Sequence, residues 1–261
     1  MNSIKETTNN TSFNNHRRFL KSDLWDEWKT LETDQRKGIP APPPQKPFAE
    51  DTQLIDLIEP KDLKVGKMPL IEAIRRRKSH RKYTNEPLTL EELSFLLWAT
   101  QGIQRVVGPN VLKTVPSGGA RHPFETYLLV NKVNKIKPGL YRYLPLNHKL
   151  CFISADPEIS EKIHNACLNQ YVNNSAVTFI WTVIPYRTEW RYDILSPKII
   201  ALDAGHLCQN LYLASESIGA GTCAIGAYDQ KKMDPLLSID GKEEFTIYVA
   251  TVGKIPHSGT L

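Results

Sequence analysis

One segment narrows the possible folds more than any other: PKIIALDAGHLCQNLYLASESIGAG, Pro197 to Gly221. It predicts a long helix, mostly apolar over 198–218 and ending at Gly219. A helix that is apolar over most of its surface exceeds what a monomer exposes, so other elements have to cover it. The chain has the means: 261 residues with 41% hydrophobic content allow one large domain or two small ones with a sizeable core.

The surrounding segments alternate between helix and strand periodicity from Met68 onward. PLIEAIRRRKS reads as a helix leading into a basic run. LTLEELSFLLWATQG reads as a helix with Thr89 and Glu92 as a capping box, Leu88 stapling onto Leu93, and Gly102 as the C-terminal cap. ADPEISEKIHNACLNQ predicts a helix capped by Asp156 with Pro157 in its first turn. PFETYLLVNKV, SAVTFIWTVIPY and EEFTIYVATVGK predict strands, the second of them buried. The order is not a strict βαβ alternation, so the expected class is α+β rather than a doubly wound sheet.

Residues 1–66 differ in character. The first fifteen are polar and expected to fray, a short helix is expected around Trp25 and Trp28, and GIPAPPPQKPF must run extended. The expected division is an N-terminal Pro-rich arm over 1–66, strapped across the surface, and one domain over 67–261. The beginning of the chain lacks the apolar stretch of a secretory signal, and no run approaches the ~20 apolar residues that cross a bilayer. Four cysteines without a CxxC pair point to reduced thiols in a cytoplasmic setting, not a zinc site or redox dithiol.

Three corners carry candidate chemistry. The first is RRRKSHRKY, Arg75 to Tyr83, in which six of nine residues are Lys or Arg. Without those six cations the formal net charge of +5 becomes −1, so the basic excess is local. A nucleic-acid coat spreads its charge along a face; a concentrated cluster fits one anionic ligand, with arginines for phosphate oxygens and Ser79 as a further donor. A basic nucleic-acid-binding module remains the rival reading, and a merely solvated helix end the plain one. The second corner is TVPSGGARHPFE, where Pro116 fixes the backbone, Gly118 and Gly119 admit close approach, and Arg121 and His122 add donors. It lacks the spacing and ending of a phosphate-binding P-loop. The third is AGTCAIGAYD, where Gly226 and Ala227 can expose backbone N–H groups; it follows a helix, which excludes a dinucleotide-binding glycine motif. The histidines form no metal spacing, and His206 on the apolar helix is expected to be interior. No GxSxG elbow accompanies the SGGA loop.

In this order the segments RRRKSHRKYTNEPLTLEELSFLLWATQGI, VPSGGARHPFETYLLV with PGLYRYLP, LDAGHLCQNLYLASESIGAGTCAIGAYD and IYVATVGK resemble the nitroreductase-like flavoprotein superfamily, in particular its SagB/ThcOx-type dehydrogenase branch. The resemblance covers nearly the whole chain from about Arg17. It implies an α+β fold with a central antiparallel sheet flanked by helices, an intertwined homodimer, and FMN at the dimer interface. By residue, it implies that Arg77, Ser79 and Arg81 hold the phosphate and ribityl chain. Pro116, Ser117, Gly118 and Gly119, with Arg121 behind them, reach the flavin of the second subunit. Ile225, Gly226 and Ala227 border the ring edge, and Lys254 reaches the phosphate. The chemistry agrees: a phosphate monoester carries roughly two negative charges, and burial between two subunits is an outlet for the long apolar helix.

One departure stands out. Azoline-oxidising members carry a Lys-Tyr pair where TEWRYDILSPK has Arg191 and Tyr192. Arginine does not release its proton at working pH, which weakens a lysine-type acid/base role. The expected function is an FMN-dependent oxidoreductase passing two electrons through the flavin, with Arg191 and Tyr192 as the catalytic pair, an unknown small-molecule or peptide substrate, and no metal, membrane or nucleic-acid partner. Azoline dehydrogenation of a modified peptide and NAD(P)H-dependent reduction of nitroaromatics or quinones stay as alternatives.

Overall fold

The computed structural model describes residues 13, 15–108 and 110–256. The frayed start expected for residues 1–15 lies, apart from Phe13 and Asn15, outside them. The centre is a seven-stranded sheet in the order β1-β6-β5-β4-β7-β9-β8. Its strands are β1 (Leu54–Asp56), β4 (Phe124–Val130), β5 (Gly139–Leu144), β6 (Lys149–Ser154), β7 (Val177–Val183), β8 (Ala220–Ile225) and β9 (Phe245–Lys254). Every neighbouring pair is antiparallel. A separate hairpin joins β2 (Ile103–Val107) to β3 (Asn110–Lys113).

The central strands are buried on both faces, because helices cover both. Along β4, Phe124, Leu128 and Val130 face one layer, while Tyr127 and Leu129 face the other. On the first face lie α3 (Leu90–Gln101) and α6 (Ser196–Ser217); on the second lie α4 (Ile159–Ala166) and α7 (Gln230–Leu236). Smaller helices are α1 (Trp25–Thr30), α2 (Leu70–Arg76) and α5 (Tyr186–Tyr192). The long apolar helix α6 drives Leu207 and Leu211 into the first core layer. Each fully buried leucine contributes roughly 1.5–3 kcal/mol.

Local signals hold where the partners are local. Thr89 Oγ1 accepts from Glu92 N at 3.1 Å, and Thr89 N donates to Glu92 Oε2 at 2.9 Å, completing the capping box. Three expectations need correction. Helix α4 starts at Ile159, two residues later than expected; Asp156 caps only the turn before it, its carboxylate accepting from Glu158 N at 2.9 Å. Gly102 does end α3, but in extended rather than left-handed backbone; its lack of a side chain matters because a Cβ would sit 2.3 Å from the Trp98 ring. His206 is not interior: its side chain is 47% exposed, 3.9 Å from Asp203.

The N-terminal arm runs over the surface of α5 and the sheet. Gln35 N donates to Trp190 O, Trp190 Nε1 to Ile39 O, Lys46 N to Glu125 Oε1, and Arg142 to Pro47 O. The arm then supplies the edge strand β1, paired with β6. No helix among the described residues is long and apolar enough to cross a membrane.

Candidate active site

The basic run leaves α2 at Arg77 and continues extended beside β8. Ser79 bridges Thr222, and His80 N donates to Thr222 O at 2.9 Å. This lie requires glycine at 221, where a Cβ would come within 2.5 Å of the His80 ring. Tyr212, on α6, organises the segment from the other side. Its hydroxyl is 3.0 Å from Ser79 Oγ and accepts from Ala224 N at 2.9 Å, and its ring lies 5.5 Å beneath the Arg77 guanidinium. His80 Nε2 meets Glu216 at 3.0 Å, one turn further along α6. The result is a cleft of about 680 Å³ lined by Arg75, Arg76, Lys78, Ser79, Arg81 and Lys82. Glu216 is the one acid lining it among the described residues, and His80 already engages that carboxylate. A cleft with this balance is electrostatically suited to an anion.

Gly226 and Ala227 lie exposed just beyond β8, with open space around Gly226, while the Ile225 side chain is buried in the second core layer. Lys254 sits at the end of β9, but its ammonium pairs with Glu92 and donates to Ile218 O at 3.2 Å. Its charge is therefore answered inside the chain.

The PSGG loop is fixed by α6 near that helix's other end. Ser117 Oγ donates to Asp203 Oδ2 at 2.6 Å, Gly118 N donates to both Asp203 oxygens at 3.1 and 3.2 Å, and His122 N donates to Ser117 Oγ at 2.9 Å. Gly119 has φ +58°, and a Cβ there would lie 2.6 Å from the Tyr192 hydroxyl and 3.1 Å from Arg191. Its glycine thus serves packing within the chain as well as any ligand. Arg121 stacks 5.0 Å over Trp190. Beneath the loop, burial drives the His122 imidazole down to about 3, helped by the charges of Lys113 and Arg121. Burial likewise drives Lys113 down to about 7, although its ammonium donates to Gln101 Oε1 at 2.7 Å. Burial lifts the Asp203 carboxyl above its ordinary value, against the opposing pull of Ser117 and Gly118.

Arg191 and Tyr192 close α5 against this loop. The Arg191 guanidinium lies 5.4 Å over the Tyr192 ring. The arm covers both: Trp28 stacks on Tyr192 at 6.0 Å, Trp25 meets it edge-on at 6.3 Å, and Trp28 Nε1 donates to Arg191 O at 3.1 Å.

The candidate residues therefore fall into two groups. The basic segment touches α6 at Tyr212 and Glu216, and the PSGG loop touches it at Ile199 and Asp203. Those positions are roughly 14–25 Å apart along a helix rising about 1.5 Å per residue. One chain does not bring the groups together. Sequence reasoning missed Tyr212, Asp203 and Glu216, although polar side chains on an otherwise apolar helix were the available signal. It also missed Lys113 and the two arm tryptophans, whose role comes from contacts distant in the chain.

The sequence profile of the Nitroreductase family matches residues 74–254, well over half of the chain. The chain belongs to the nitroreductase family. A Methanocaldococcus jannaschii protein bearing the nitroreductase name, MJ1384, is 32% identical over 205 residues, covering 78% of this chain and 98% of that protein. The trifolitoxin-processing protein TfxB of Rhizobium leguminosarum bv. trifolii is 28% identical over 138 residues, 51% of this chain and 37% of TfxB. Among solved structures, a Ralstonia eutropha protein also bearing the nitroreductase name superposes with a TM-score of 0.64 at 25% identity, covering 83% of this chain and 96% of that one. The NADPH:FMN oxidoreductase of Vibrio harveyi complexed with NAD+ shares the fold, with a TM-score of 0.52 at 19% identity over 74% of this chain and 71% of that one. Family membership implies an oxidoreductase activity.

Proposed function

We propose that two copies of this chain form an FMN-dependent oxidoreductase of the SagB type, each copy holding the flavin phosphate on its own basic segment and lending its PSGG loop to the partner's flavin. The observation that carries this reading is the division of the candidate residues between the two ends of α6. A pair related by a two-fold axis brings one chain's cleft to the other's loop without bending either. Apolar side chains still in water are consistent with such a partner: Leu70, Ile71 and Ile74 on α2, and Val106 and Val107 on the β2–β3 hairpin.

The residues fit the cofactor. Arg77 and Arg81 supply charge-assisted donors to a phosphate, Ser79 a neutral one, and Tyr212 holds Ser79 in place. Gly226 and Ala227 leave exposed backbone for the ring's edge, with the Ala227 carbonyl already accepting from Gln170 Nε2 at 2.8 Å. Lys254, tied to Glu92, serves by holding α3 against β9 rather than by touching phosphate. Bound there, the flavin supplies reversible two-electron transfer between a donor and an acceptor that use one open side in turn. Tyr192 exchanges a proton with the substrate through its hydroxyl, while Arg191 orients an anionic or carbonyl group. The likeness in fold to the Vibrio NADPH:FMN oxidoreductase supports a nicotinamide donor. Likeness to TfxB supports a second reading, oxidation of azoline rings in a modified peptide; Arg191 weighs against it because a guanidinium does not act as a base.

The test is flavin content. Arg77→Ala with Arg81→Ala removes two charge-assisted contacts of about 1.5–3 kcal/mol each. The double variant is expected to purify colourless while wild type purifies yellow. Full flavin occupancy in a folded double variant would overturn the assignment.

A further inference from the structure

A second cavity, of about 430 Å³, lies between the arm and the start of α6, away from the basic cleft. Its floor is Leu195, Ile199 and Leu202; its roof is Phe19, Leu24 and Trp25. Arg18, Lys21 and Lys198 also line it, and no Asp or Glu does. Lys198 Nζ donates at 2.6 Å to both Leu20 O and Ser22 Oγ, clasping the arm to the helix. Arg18 and Lys21 form no ion pair among the described residues. The apolar lining is unsealed: Phe19 is 47%, Trp25 40% and Leu202 57% exposed. An apolar slot of small-molecule size with only positive groups at its edge complements one class of ligand, a compact apolar body carrying a single anionic group.

The position of the cavity gives it a role. Ile199 packs against Gly118 of the PSGG loop, and the Trp25 ring lies edge-on to Tyr192. We propose that this cavity binds a small amphipathic anion, such as an aryl or medium-chain carboxylate or sulfonate, and that the N-terminal arm is thereby a recognition element, not only a strap. Arg18 and Lys21 attract the anionic head, and Trp25 and Ile199 hold the apolar body. Binding itself is independent of the flavin reading. The further statement that the ligand approaches Tyr192 as substrate rests on that reading.

The experiment uses the full chain with saturating FMN, so that the basic cleft does not compete for the probe. The probe is 8-anilinonaphthalene-1-sulfonate, followed by its fluorescence and by energy transfer from tryptophan; the uncharged control is N-phenyl-1-naphthylamine. Wild type is expected to bind one sulfonate per chain. Arg18→Glu with Lys21→Glu is expected to weaken the sulfonate at least tenfold and to leave the uncharged probe within twofold. Trp25→Ala is expected to weaken both. Raising salt from 0.05 to 0.5 M is expected to weaken only the sulfonate in wild type, a check that needs no variant. The proposal is overturned if charge reversal and salt both leave the sulfonate unchanged, if the uncharged probe binds as tightly, or if binding never saturates at one per chain. It is also overturned if the signal disappears as the chain dimerises, which makes the partner copy the occupant. Failure of FMN to bind in the same titrations sinks the flavin reading and leaves the cavity measurement standing.

Discussion

Replacing Asp203 by Asn tests how the PSGG loop is held. The carboxylate is 4% exposed and accepts the Ser117 hydroxyl at 2.6 Å and the Gly118 N–H at 3.1 and 3.2 Å. An amide keeps one acceptor oxygen and turns a donor towards the other contact. One charge-assisted bond, about 1.5–3 kcal/mol, is lost, and the other falls to a neutral bond of about 0.5–1.5 kcal/mol. Removing a buried charge offsets part of this, because burial is the largest influence on Asp203 and raises its pKa. The net cost is about 1–2 kcal/mol, or roughly 2–8 °C in Tm for a chain of this size. Asp203→Ala leaves both donors without an acceptor and is expected to cost about twice as much. The pH dependence has a definite sign. A carboxyl with a raised folded pKa binds its proton more tightly when folded, so the extra stability that protonation adds is complete below the ordinary value near 3.8 and is lost as pH rises through the raised value, leaving the carboxylate's own hydrogen bonds above it. The gap in Tm between wild type and Asp203→Asn should therefore narrow as pH rises through that window. The assay is thermal unfolding from pH 3.5 to 8. Equal Tm values throughout, or a gap that widens with pH, would refute this account of the loop.

Lys113 offers a second pH test. Its folded pKa, near 7, lies below the ordinary 10.5, so the unfolded chain binds more protons between those values and the lysine's contribution makes stability rise with pH there. Lys113→Met is expected to flatten that rise in urea unfolding between pH 7 and 10; an unchanged slope refutes the buried, poorly solvated ammonium. Tyr192→Phe is expected to lower substrate turnover about 10²-fold, the usual scale for losing general acid–base catalysis, with flavin content unchanged. Rates equal to wild type on every acceptor tried would reduce Tyr192 to a packing surface beneath Trp28.

What the linear chain determined is what short-range chemistry decides. Thr89 and Glu92 announce the start of α3 because a capping box needs only residues three apart. The runs at 124–130 and 177–183 announce central strands, since strands covered on both faces are mostly apolar and β-branched, here with only Glu125, Thr126, Thr178 and Thr182 as buried polar members. The apolar length of α6 announces a covered helix, and the Arg-x-Ser-x-Arg spacing with the PSGG loop announces the family. Other features were illegible because their causes are distant in sequence. Asp156 reads as the cap of α4, and its carboxylate does accept from Glu158 N, but the regular helix begins only at Ile159. The strand β1 exists only because β6 is there to pair with it. His206 looks interior by its neighbours in sequence, but it falls on the one stripe of α6 that other elements leave uncovered. Lys254 reads as a free cation until β9 sets it beside Glu92, 162 residues earlier. The arm tryptophans become part of the site only when folding lays Trp28 on Tyr192. Above all, tertiary structure alone decided that the two halves of the candidate site lie at opposite ends of one helix. Helix length along α6 is a local property, but which loop docks at which end is set by long-range packing of the sheet, and that separation is the observation on which the proposed pairing of two copies rests.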